Sequence, residues 1–263
     1  MTRTVSQLFD LKGKTALVTG GSRGLGLQMA HALGEAGARI MLTSRKASDL
    51  EEATAELQAA GIDARWTAAD CGKEEEIHRL ADETLTRMGD VDILVNNAGA
   101  AWGAPAEDHP VEAWDKLMNL NVRGYFILSQ HIAKRSMIPR KSGRIVNIAS
   151  IAGLGGNPPE MTTLAYNTSK GAVISFTEAL GCEWGKYNIT VNAICPGFFP
   201  SKMTQGTLDR LGEDKLAAHA PLKRLGDDED LKGITLLFAS DAGKHITGQW
   251  LAVDGGVSVI TGG

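Results

Sequence analysis

Residues 14–26 read KTALVTGGSRGLG. An apolar, β-branched run passes straight into a cluster of glycines, and residues 24–35 then carry helical periodicity. A strand that ends in glycines and opens a helix presents backbone N–H groups together with the positive end of the helix dipole. That combination holds a diphosphate, and the missing side chains allow the tight turn and the close approach of the ligand. The spacing is Gly-x3-Gly-x-Gly rather than GxGxxG. An isolated glycine cluster would only end a strand. This one follows the first strand and opens the first helix, so it reads as a dinucleotide loop lined by Gly20, Ser22, Arg23, Gly24, Leu25 and Gly26. The same residues also satisfy GxSxG, the nucleophile elbow of a serine hydrolase centred on Ser22. That elbow normally follows several strands and needs a late histidine; His219 and His245 are the candidates, and nothing beside either marks it as a base.

Outward from the loop, strands are expected at 14–19, 39–43, 91–95, 144–149, 189–194 and 249–253, with a weaker one at 64–68. Helical stretches fall at 24–35, 49–60, 73–88 and 166–184. Ser48 and Glu51 form a capping box at one helix entry, and Gly61 suits its exit. Several strands are apolar nearly throughout, the mark of parallel strands covered on both faces. Strand and helix alternate along the whole chain, which gives an α/β fold: a single-domain, Rossmann-type doubly wound parallel sheet over residues 1–263, with a short N-terminal extension at 1–12.

Composition fits that architecture. The 263 residues are 43% hydrophobic and 22% charged, ordinary values for a globular chain. A net charge of −4 favours neither nucleic acid nor an anionic membrane as partner. No apolar run is long enough to span a bilayer, and the first residues lack the apolar core of a secretory signal. Three cysteines with no CxxC pair and six scattered histidines give neither a disulfide framework nor a metal site. A cytoplasmic protein is expected.

In dinucleotide folds an acidic residue at the end of the second strand grips the adenine-ribose diol. Here that strand ends in Thr43-Ser44-Arg45-Lys46. A carboxylate would repel a 2′-phosphate, whereas a hydroxyl and a guanidinium bind it. Ser44 and Arg45, with Arg23 as a second cation, therefore point to NADP(H).

Tyr166-Asn167-Thr168-Ser169-Lys170 opens a helical segment, and the spacing of four puts Tyr166 and Lys170 on one face. An ammonium beside a phenol favours the phenolate and is expected to lower the tyrosine pKa, so that Tyr166 can give a proton to a carbonyl oxygen and take it back. Ser150 follows an apolar strand directly, where α/β sheets place ligands, and its hydroxyl is expected to hold the substrate oxygen. Alone, YxxxK is a weak pattern.

Taken together, TGGSRGLG (19–26), NNAG (96–99), Asn121, Ser150, YNTSK (166–170) and the Pro196-Gly197 pair resemble the short-chain dehydrogenases/reductases, over nearly the whole chain and in that family's order. The resemblance implies hydride transfer to or from nicotinamide by a homotetramer or homodimer. It gives Tyr166 the part of general acid/base, and has Lys170 also hold the nicotinamide ribose. Asn121 is similar to the family's helix-interrupting asparagine, which holds a proton-relay water. Asp70, with Cys71 beside it, is similar to the adenine contact. Asn97, Ala98 and Gly99 would line the adenosine ribose, and Pro196, Gly197 and Ser201 the nicotinamide. Tyr166 follows Ser150 at a longer interval than is common in the family, so the loop at 155–161 is expected to reshape the substrate mouth. Trp102 is expected to wall it, and residues 204–220 resemble a segment that closes over nicotinamide.

NNAGAAWGAP and PGFFPSKMT look most like bacterial 3-oxoacyl reductases, including the kind that supplies rhamnolipid synthesis. The expected activity is NADPH-dependent reduction of a small-molecule ketone, an acyl thioester among the candidates. A sugar-acid oxidoreductase of the gluconate 5-dehydrogenase type has similar segments. A non-catalytic nucleotide-binding module is the rival from another class.

Overall fold

A computed structural model describes residues 2–260. Seven strands form one sheet: β1 (Thr15–Thr19), β2 (Arg39–Ser44), β3 (Ala64–Ala68), β4 (Ile93–Asn96), β5 (Gly143–Ile148), β6 (Ile189–Pro196) and β7 (Trp250–Val253). Every neighbouring pair is parallel, in the order β3-β2-β1-β4-β5-β6-β7. All residues of β1, β4, β5 and β6 are buried, as their unbroken apolar character demands. Alternate residues serve opposite cores. Ala16 and Val18 join Met29, Leu33 and Leu57 on one face; Leu17 joins Ile77, Leu80 and Ile132 on the other. This is a Rossmann-type doubly wound sheet.

The helices are α1 (Val5–Phe9), α2 (Gly24–Glu35), α3 (Ala47–Ala59), α4 (Glu74–Met88), α5 (Val111–Met118), α6 (Gly124–Ile132), α7 (Ile138–Arg140), α8 (Leu164–Trp184), α9 (Gln205–Leu211), α10 (Glu213–His219) and α11 (Lys232–Ala239). From α5 to α7 the chain stays helical, widening to π turns at Asn119–Arg123 and Ala133–Met137.

Two local expectations change. The capping box at Ser48 and Glu51 does not form: β2 runs to Ser44, only two residues connect it to α3, and Lys46 takes the N-cap position without a side-chain bond. Gly61 does end that helix, at φ +80°. A capping box appears instead at Thr4, reciprocated by Gln7, in the supposed extension. That segment is tied to the sheet at β5 through a shared carboxylate, because Arg3 and Arg144 both pair with Asp241.

Chain order runs outward from β1 to β3 and then returns to β4 on its other side. The crevice beyond the C-terminal ends of β1 and β4 is thus the topological switch point, where such sheets bind ligands.

Candidate active site

The glycine loop is fastened from the neighbouring strand. Asn97 and Ala98 N–H both donate to Thr19 Oγ1 at 2.9 Å, and Asn97 Nδ2 donates to the carbonyls of Thr19 (2.9 Å) and Gly20 (3.1 Å). Gly20 turns at φ +63°. A Cβ on Gly26 would lie 2.2 Å from the Gly20 carbonyl, so only glycine lets α2 start this close to the turn. The first N–H groups of α2 have no side-chain cap. A Cβ on Gly24 would meet open space, with Ser201 at 3.9 Å as its nearest neighbour. A twelve-residue helix with an uncapped start facing a clear cradle fits a diphosphate.

Asn97 therefore acts chiefly as a brace for the loop. Its neighbour Asn96 is structural too: Nδ2 donates to Asn147 Oδ1 (2.9 Å) and Ser129 Oγ (3.0 Å), and Asn147 passes the chain on to Thr177. Asp70 closes its own turn by accepting from Gly72 N–H at 2.9 Å. Cys71 is buried beside it, and burial pushes its thiol up to about 12, which leaves it inert. Gly197 packs against Asp254, where a Cβ would come within 2.7 Å. Ser201 caps a local turn with Thr204.

The proton-transfer residues converge at the ends of β4 and β5. Lys170 is 4% exposed, and its Nζ donates to the Ile148 carbonyl at 2.7 Å. It lies 5.7 Å from the Tyr166 ring centre and 5.8 Å from that of Tyr125. A Cβ built on Gly99 would meet Asn121 Oδ1 at 3.2 Å and Lys170 Nζ at 3.7 Å, so these three residues are immediate neighbours. Asn121, fully buried in the first π turn, exchanges hydrogen bonds with the Ala100 backbone and donates to Ser169 Oγ at 3.0 Å. The helix is widened there rather than broken. The side chain braces the strand-end segment against α8.

Electrostatics correct one expectation. Burial raises the Tyr166 pKa, and the hydrogen bond from Ser150 is what opposes that rise. Lys170 is buried as well, which pushes its own ammonium down to about 8. Ser150 Oγ accepts from Ala152 N–H at 3.1 Å, which leaves its proton free to donate to the phenol. Sequence reasoning gave no role to Thr19, Tyr125 or Ser169. Thr19 and Ser169 stood inside the quoted motifs; Tyr125 becomes visible only when α6 brings its ring beside Lys170.

On the ribose side, Ser44 ends β2, Arg45 is exposed, and Arg23 pairs with Asp49 at 3.1 Å. The long loop before α8 is latched by Asn157, Thr163 and Asn167, with bonds of 2.8–3.1 Å. The Thr162 carbonyl sits 2.3 Å from where a Gly103 Cβ would be, so this loop meets the Trp102 segment. Trp102 stands edge-on to His109, ring centres 4.9 Å apart. Ser22 has no histidine partner among the described residues, and His31, on the helix that the loop opens, faces Glu56 instead. A hydrolase elbow is not assembled.

Fold and site define a class: a dinucleotide-binding α/β protein with a tyrosine, lysine and serine gathered for proton transfer beside the glycine loop. Residues 14–211 match the short chain dehydrogenase family, and the chain belongs to it. It is 37% identical over 253 residues to gluconate 5-dehydrogenase of Gluconobacter oxydans, covering 96% of this chain and 97% of that one. It is also 37% identical over 252 residues to the rhamnolipids biosynthesis 3-oxoacyl-[acyl-carrier-protein] reductase of Pseudomonas aeruginosa, covering 94% and 97%. Among solved structures, a gluconate 5-dehydrogenase from Burkholderia cenocepacia in complex with NADP and tartrate superposes with a TM-score of 0.92 at 33% identity, over 98% of this chain and 100% of that one.

Proposed function

We propose that this protein is an NADP(H)-dependent oxidoreductase that reduces a ketone of the 3-oxoacyl thioester kind. The observation that carries the reading is the gathering of Ser150, Tyr166, Lys170 and Asn121 at the strand ends next to an uncapped helix start. Bound nicotinamide supplies or accepts the hydride. Ser150 holds the substrate oxygen and Tyr166. With its pKa raised rather than lowered, Tyr166 is a phenol at neutral pH, ready to donate a proton to the oxygen of a ketone being reduced. Lys170, poised near pH 8, sits where it can hold a ribose hydroxyl and replace a lost proton. Gly20, Ser22, Arg23, Gly24, Leu25 and Gly26 take the diphosphate side, Ser44 and Arg45 the 2′-phosphate, and Asp70 to Cys71 the adenine edge. Asn97 to Gly99, Pro196, Gly197 and Ser201 line the remainder.

Sugar-acid oxidation is the second reading, favoured by the gluconate 5-dehydrogenases among the relatives. The chain is taken as one domain, cytoplasmic and assembled as a homotetramer or homodimer. All three cysteines are free, consistent with a reducing compartment. The test is a panel of ketones and alcohols followed at the nicotinamide absorbance, with acetoacetyl thioesters and 5-ketogluconate included. Turnover of the thioester with NADPH supports the main reading; turnover of the sugar acid alone selects the second. Turnover of nothing in the panel would favour a binding module.

A further inference from the structure

Asp49 stands in the first turn of α3 and accepts a hydrogen bond from Arg23 Nη1 at 3.1 Å. The pair bridges the N-termini of α2 and α3 just beyond the end of β2. Gly21 N–H donates to the Thr43 carbonyl at 3.2 Å and holds the glycine loop against that strand end, so Arg23, Ser44, Arg45 and Asp49 flank one cleft. Arg45 forms no ion pair with any described residue; the ion pairs of this cleft reduce to Arg23–Asp49. Of the two guanidinium groups assigned to a 2′-phosphate, one is free and the other is already held by a carboxylate.

The two partners are not equally dependent on the pair. Asp49 lies in the first turn of α3, where the positive end of the helix dipole favours a carboxylate with or without Arg23. The Arg23 side chain is 55% exposed, too open for the pair to orient it rigidly. A phosphate that recruits Arg23 must loosen this pair or share the guanidinium with it.

We infer that Asp49 is a specificity-determining residue for the cofactor: by holding Arg23 it restrains affinity for the 2′-phosphate and narrows the gap between NADP(H) and NAD(H). The inference rests on the NADP(H) reading. Breaking one exposed pair sets its scale, about two- to fivefold in affinity.

The experiment is calorimetric titration of the full chain with 2′,5′-ADP and with 5′-AMP, which needs no substrate and no turnover. Asp49→Asn keeps the side-chain shape, and Asp49→Ser supplies a second, shorter uncharged variant. Both should tighten 2′,5′-ADP by about two- to fivefold and leave 5′-AMP unchanged. In an Arg23→Ala background the gain should vanish. Unchanged or weaker 2′,5′-ADP binding in both Asp49 variants would overturn the inference while leaving the NADP(H) reading in place. A gain that persists without Arg23 would also overturn it, since Asp49 would then act by its charge alone. If the unaltered protein binds 2′,5′-ADP no more tightly than 5′-AMP, the NADP(H) reading fails, and this inference with it.

Discussion

The glycine loop at 19–26 and the loop at 155–163 both leave the C-terminal end of a strand, yet they are built in opposite ways. The first is fastened by Thr19 and Asn97, residues 78 positions apart. Two of its glycines press on backbone: Gly20 against Ala98, Gly26 against Gly20. The second is latched by side chains within ten positions of each other, Asn157, Thr163 and Asn167. Its Gly155 and Gly156 face open space. The dinucleotide end of the cleft is thus determined by the whole sheet, and the mouth by local surface contacts.

The largest effect should come from the strand-end side. Tyr166→Phe removes the proton donor and should cut kcat by about 10²–10⁴-fold, with NADPH affinity measured by fluorescence titration nearly unchanged. A variant that keeps its kcat would take the chemistry away from this end of the cleft. Arg45→Ala should come next, weakening NADPH relative to NADH by about ten- to a hundredfold as one charge-assisted contact is lost. The readout is the ratio of kcat/KM for the two cofactors. Retention of a high ratio would return Arg45 to the solvated surface.

A matched pair of glycine substitutions probes the contrast itself. Gly26→Ala forces a methyl into the Gly20 backbone and should destabilise the fold by about 1–3 kcal/mol in denaturant unfolding. Gly155→Ala should stay within about 0.5 kcal/mol of the parent. Equal losses would mean the two loops are not built differently after all. Asn157→Ala should have the smallest effect on the reaction. Loosening a part-exposed hydrogen bond costs about 0.5–1.5 kcal/mol, and it should appear as a KM shift for the ketone with kcat nearly unchanged.

The same contrast explains how much could be read in advance. The strand at 64–68 and the helix at 24–35 match their expected ends, and the other strands differ by a residue or two, because local composition and periodicity mark these elements. Tyr166, Lys170 and Ser150 were legible because helix spacing and a strand end place them locally. The Asn96–Asn147–Thr177 chain was not, since it joins two strands and a helix that only the folded sheet brings together. Capping failed in both directions: Ser48 and Glu51 had the pattern without the room, while Thr4 and Gln7 formed a box in a segment read as an extension. The Tyr166 pKa was misjudged for a related reason. Adjacency to Lys170 is visible in sequence, but the burial that outweighs it is a property of the packed site.

The most direct test of the central claim, that Tyr166 exchanges the proton, is the pH dependence of kcat/KM in both directions for one ketone–alcohol pair. The raised Tyr166 pKa keeps the donor form through neutrality, so reduction should stay level there and fall only on the alkaline side. Alcohol oxidation, which needs the phenolate, should rise with pH over that same alkaline range. Reduction that climbs as pH increases, or oxidation that is indifferent to pH, would contradict the account.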